Sequence, residues 1–241
     1  MTTYSGTNEF EGATFVQAGF KGATLRFSDL TDVTMRGVDV GGLDIDSHDL
    51  FFGSLIVNGV DVVPYVDAEL NRRFPGRELQ KAESPEGLRE GWDAVRAAWR
   101  ETVDGTPREL WDAHVDDEWS LVQTLRHLVL ATDAWLGRGI NRVDQPWHPI
   151  GQVFTGAADM GFDMSVLREP TSPDEVLEVR AERQQQVTDF LARATPVVLA
   201  EERDSPWGGS WGPTVGDCVR VILEEEWAHL RYVRRDLALL T

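Results

Sequence analysis

From Phe10 to Val60 every fifth residue is apolar, eleven in succession without a miss. The row opens with Phe10, Phe15 and Phe20 and closes with Leu50, Leu55 and Val60. A period of five fits neither the 3.6-residue turn of an α-helix nor the two-residue alternation of a strand, so neither element places all eleven on one face. Two positions before many of them stands a small or modest residue, among them Ala13, Ala18, Ala23 and Ser28. Such regularity marks a repeat architecture, in which each unit buries its apolar residue only against its neighbours.

The pattern resembles the pentapeptide-repeat family. That resemblance implies a short right-handed quadrilateral β-helix, one pentapeptide to a side, with the apolar residue turned inward and somewhat under three coils in all. Met35, Val40 and Ile45 stand where the family more often carries Leu or Phe, and they remain core-compatible. The expected organisation is a β-helix over residues 8–63, a connector over 64–83, and a helical domain over 84–241. Some longer family members imitate DNA towards topoisomerases, and the formal net charge of −18 invites that comparison. Residues 1–63, however, hold only nine acids against three bases, so most of the negative charge lies elsewhere. A scaffold or docking surface is the plainer expectation for the repeat.

The same negative charge repels a phosphate backbone, so no direct nucleic-acid binding is expected. No apolar run approaches the roughly 20 residues that span a bilayer. The start, MTTYSGTNEF, lacks the basic and apolar regions of a secretory signal. A cytoplasmic chain without a membrane partner is expected. Cys218 is the single cysteine, which excludes an internal disulfide and a thiolate cluster and leaves nitrogen and oxygen as metal donors.

Beyond the connector the period changes to that of helices. Ser84 and Pro85 supply an N-cap and a first-turn proline ahead of Leu88, Trp92, Val95 and Trp99. Ser120 and Gln123 make a capping box ahead of Leu121, Leu125, Leu128, Thr132 and Trp135, with Gly137 and Gly139 expected to end the helix. Ser172, Pro173 and Glu175 open a third helix that runs to about residue 194. A fourth runs from about Thr214 to the C-terminus on a stripe that includes Val215, Val219, Ile222 and Val233. These predict an all-α four-helix bundle whose long connection, residues 138–171, folds over one end.

On the fourth helix, Glu225, Glu226 and His229 occupy inward positions between Ile222 and Val233. Burying such groups without partners costs several kcal/mol each, so their placement needs compensation. Glu225 and His229 stand four apart, one above the other, a spacing that lets two side chains grip one ion; Glu226, three before His229, is also geometrically allowed. The second helix offers His127 as a third donor. Two imidazoles and a carboxylate leave coordination positions open on Zn²⁺, Ni²⁺ or Fe²⁺, with zinc the first expectation. Glu226 otherwise reads as an acceptor behind the ligands or an acid on a solvated face. Tyr232, one turn beyond His229, is a candidate proton donor or an interfacial aromatic. Arg235 and Asp236 read as an ion pair, and His48, His114 and His148 lack partners at ligand spacing. Trp147, Trp207 and Trp211 either line a pocket mouth or cover the core.

The segments WSLVQTLRHLVLATDAWL and ILEEEWAHLRYVRRDL resemble the DinB-like superfamily of four-helix bundles, especially members related to mycothiol-dependent enzymes. The resemblance spans residues 85–241. It implies a metal held by a His on the second helix and by a His or Glu and a second His four residues apart on the fourth, which here are His127, Glu225 and His229. It further implies a low-molecular-weight thiol such as mycothiol as co-substrate, activated by a divalent metal and transferred to an electrophilic small molecule, or used transiently to isomerise a double bond. The competing expectation is an interaction protein whose bundle pairs as a homodimer and whose repeat docks a protein partner.

Overall fold

The computed structural model describes residues 2–47, 50–158 and 162–241; His48 lies outside the described residues. The chain divides into two units, Met1–Asp46 and Ser47–Thr241.

In the first unit the five-residue period is written into the backbone. Gly12, Gln17, Gly22, Phe27, Asp32, Gly37 and Gly42 all take left-handed φ values between 49 and 79°. The amides of Ala13, Ala23, Val33 and Leu43 donate to the carbonyls of Phe10, Phe20, Leu30 and Val40 at 2.9–3.2 Å, closing a tight turn every ten residues. No described residue of this unit belongs to a strand or helix, and the expected quadrilateral β-helix is overturned. The apolar row from Phe10 to Ile45 keeps 44–59% of its surface exposed instead of lining an interior.

The physical reason is length. The last three members of the row are used elsewhere. Leu50 opens the 3₁₀ turn Leu50–Phe52, Leu55 precedes a hairpin of β1 (Ile56–Val57) and β2 (Val60–Asp61), and Val60 opens its second strand. Asn58 and Gly59 form its turn, both at positive φ, as a type I′ connection requires. Eight pentapeptides remain, which is two coils at four per coil, below the roughly three stacked units that repeat folds need. Gln17, Phe27 and Asp32 also hold the left-handed conformation at about 1–2 kcal/mol each.

In the second unit, α1 (Val63–Arg73) and a 3₁₀ segment (Arg77–Lys81) occupy the expected connector. Arg77 is buried on Asp67 and Asn71, whereas Arg72 and Arg73 stay exposed and grip Glu69. The bundle follows as α2 (Pro85–Gly105), α3 (Leu121–Thr132), α4 (Pro173–Arg193), the single turn α5 (Pro196–Leu199) and α6 (Val215–Leu240). Ser84, Ser120, Ser172 and Thr214 each cap the helix they precede, Ser120 and Thr214 through complete capping boxes. Both α2 and α3 pack against α4 and α6, which closes the ring of four. Its centre is apolar, with Leu88, Trp92, Leu128, Leu191, Ile222 and Leu223 fully buried.

The second bundle helix does not end at its glycines. It continues as a π-helical turn, Asp133–Ile140, closed by the Asn141 amide on the Leu136 carbonyl at 2.9 Å. Gly137 is there for close approach, since a Cβ would lie 2.7 Å from Pro146 Cβ. The long connection that follows buries Ile150 in the main core, and Ala157 and Phe162 against Leu130. Trp147 and Trp207 stack over that small cluster with ring centroids 5.6 Å apart. Among the described residues no helix is long and apolar enough to cross a membrane.

Leu223, with no exposed surface, faces the centre of the ring. Leu223→Ala is expected to lower the unfolding free energy by about 2–5 kcal/mol in urea titrations.

Candidate metal centre

The core stripe of α6 passes through Val219, Ile222, Leu223, Glu226, Leu230 and Val233, all buried. Glu225 and His229 sit one turn apart at its edge, where α6 meets α3. From α3, His127 Nε2 approaches Glu225 Oε2 to 3.6 Å, and His229 Nε2 lies 3.2 Å from the same oxygen. The three ligand atoms all fall within 4.8 Å of one another, and this group can hold a metal ion. His127 Nδ1 lies 3.0 Å from the Gln152 carbonyl. A carbonyl only accepts, so Nδ1 carries a proton and Nε2 is the nitrogen that turns to the centre.

The two imidazoles are mostly covered, while Glu225 keeps 31% of its side-chain surface, so the group opens to solvent on the carboxylate side. The Trp119 indole lies over both rings, with centroids 4.7 Å from His127 and 5.9 Å from His229, the latter stacked at 18°. Tyr232 meets His229 edge-on at 5.5 Å.

Burial pushes the Glu225 carboxyl up, but the two imidazoles beside it outweigh burial and hold the group well below the usual carboxylate range. Burial also lowers His229, against the pull of Glu225. An anionic Glu225 and a neutral His229 at pH 7 are the protonation states a divalent cation requires. Their spacing suits one as well: ligands about 2.0–2.1 Å from a tetrahedral zinc stand roughly 3.3 Å apart, close to the distances around Glu225 Oε2.

Glu226 turns the other way. It is 1% exposed and pairs with Arg180 of α4, which is 3% exposed. It is thus neither a ligand nor an acid on a solvated face. Burial raises its carboxyl despite the guanidinium. Arg180 Nε and Nη1 and Glu226 Oε2 have no hydrogen-bond partner among the described residues. Three residues along α4, Arg183 Nε grips Asp133 Oδ1 at 2.6 Å. Burial likewise raises Asp133. Arg235 and Asp236 form the expected ion pair at 2.7 Å. His114 pairs through Nδ1 with the Glu118 carbonyl at 2.8 Å, and His148 donates its amide to Asp133, both away from the triad. Trp211 packs its edge on Trp135.

Sequence reasoning missed Trp119, the Gln152 carbonyl, and the arginines of α4. For the arginines a signal existed: Val176, Arg180, Arg183 and Val187 follow helical spacing, so both charges interrupt a core stripe just as Glu226 does.

The model of the DinB superfamily matches residues 88–233, which takes in all three ligand candidates. No curated protein and no solved structure matches the chain.

Two outcomes test this account of the charges. Glu226→Ala strands a buried guanidinium and is expected to cost about 3–5 kcal/mol, whereas the double change Arg180→Met with Glu226→Leu restores most of it, read by chemical denaturation. Burial pushes the Cys218 thiol up to about 11. Near pH 8 the folded chain is therefore expected to resist a thiol-reactive chromophore that labels one thiol per chain once guanidinium unfolds it.

Proposed function

Because the chain belongs to the DinB superfamily and brings His127, Glu225 and His229 to one point, we propose that it is a divalent-metal enzyme that transfers a low-molecular-weight thiol to an electrophilic small molecule, or uses that thiol to isomerise one. The observation that carries the proposal is the convergence of two imidazole nitrogens and one carboxylate oxygen within 4.8 Å. Zinc is the metal that this nitrogen and oxygen set suits first. A divalent ion held there supplies Lewis acidity, which lowers the pKa of a thiol such as mycothiol so that a thiolate is available near neutral pH.

The chain's own residues then have separate tasks. His127 and His229 turn their Nε2 atoms towards the ion's place, and Glu225 supplies a negative charge. Trp119 covers the imidazole faces and keeps water from them, leaving access along the carboxylate side. Tyr232, edge-on to His229, is the proton donor we assign to the site.

A second reading draws on the first unit, whose exposed apolar row suits a protein-docking surface and a non-catalytic role. One measurement separates the two. The purified chain is expected to carry one equivalent of divalent metal by elemental analysis, and His127→Ala or His229→Ala to lose it with the fold intact. A folded wild-type chain that takes up no zinc, nickel or iron removes the enzyme reading and leaves the docking one.

A further inference from the structure

We infer that Arg126 is a positioning residue that straps residues 148–152 to α3, so that the Gln152 carbonyl dictates which nitrogen of His127 faces Glu225 and His229. The inference rests on the metal-site reading above and concerns how that site is aimed.

Arg126 immediately precedes His127 on α3, and the residue is 5% exposed. Its Nε donates to the Ile150 carbonyl at 2.8 Å, and its own carbonyl accepts the Gln152 amide at 3.2 Å. One residue thus holds the strap through both side chain and backbone, and the Gln152 carbonyl that meets His127 lies at the second of these ties. The strap has further anchors. The Ile150 side chain is fully buried, and the His148 amide donates to Asp133 Oδ2 at 2.7 Å. Gly151 lets the backbone lie flat on α3, since a Cβ there would stand 3.3 Å from the His148 carbonyl and 3.4 Å from Leu130.

The ion pair of Arg126 with Glu169 does not explain this burial. Its two bonds are 2.6 and 3.1 Å long, but the Glu169 side chain is 81% exposed, and pairs at such sites contribute little to stability. What the pair does is hold the guanidinium in the plane from which Nε reaches Ile150. A carbonyl held still against Nδ1 excludes the tautomer protonated on Nε2, which would turn a hydrogen towards the ligand atoms. Partners that orient a ligating histidine in this way typically carry a factor of 10–100 in metal affinity.

The test uses the full chain, with zinc affinity from competition against a chromophoric chelator and the imidazole nitrogens of the metal-free protein read by ¹⁵N NMR. Wild type is expected to show His127 protonated on Nδ1. Arg126→Gln is expected to mix the tautomers and weaken zinc binding about 10–100-fold. Leu88→Ala, a core truncation on α2, which carries neither ligand nor strap, keeps both readouts at wild-type values. Arg126→Gln with unchanged tautomer and affinity overturns the inference, as does a wild-type His127 protonated on Nε2. Should Arg126→Gln fail to fold, Glu169→Gln replaces it: a shift of both readouts in the same direction supports the strap, and no shift overturns it. A wild-type chain that binds no zinc counts against the metal reading alone, because the tautomer still reports on the strap.

Discussion

The geometry of the ligand triad depends on how α6 is rotated about its own axis, a rotation set by the buried stripe in which Glu226, paired with Arg180, takes a place. Successive helical residues turn by about 100°, so placing Glu226 on the core stripe between Leu223 and Leu230 swings Glu225 and His229 to the flank that faces α3. A slip of one position would bury Glu225 where Arg180 now waits and carry His229 out of reach of His127. The pair is a poor stabiliser in itself, because two arginine nitrogens and one carboxylate oxygen have no hydrogen-bond partner among the described residues. Its return is register. Two leucine-like side chains would fill the same space and leave the rotation to packing alone.

Helix α4 contributes no ligand, yet it holds both helices that do. Arg180 reaches α6, and Arg183, three residues later on the same face, reaches Asp133 where the second bundle helix passes into its π-helical turn. Asp133 in turn accepts the His148 amide, so the charge of Arg183 is relayed to the loop whose Gln152 carbonyl meets His127. The ligands thus stand on two helices, and α4 braces both of them from behind.

Helix starts were legible because the signal is local. Ser84, Ser120, Ser172 and Thr214 cap what they promised, since a cap depends on the next three residues and on little else. The stacking of Glu225 under His229 was equally local. The contribution of His127 and the choice of Glu225 over Glu226 were not: spacing allowed both acids, and resemblance to a family separated them. Gln152 was beyond reading altogether, because it acts through a backbone carbonyl that every residue possesses. Gly137 and Gly139 misled for a related reason. They read as helix stops on propensity, but Gly137 lets Pro146 approach, and the helix runs on through both glycines as a π turn.

The repeat shows the limit of periodicity as evidence. Eleven apolar residues at a spacing of five do produce a five-residue rhythm in φ, so the local conformation follows the sequence closely. A solenoid needs something more, because its hydrogen bonds and its apolar contacts run between coils, and a coil is worth forming only when another lies on each side. With Leu50, Leu55 and Val60 drawn into a 3₁₀ turn and a hairpin, two coils' worth of repeat remain, and neither would have two neighbours. The backbone bonds described in this unit span three residues and cost almost no loop-closure entropy, whereas those of a coil would each close a loop of about twenty. When the array is this short, local turns win, and the apolar row is left facing outward.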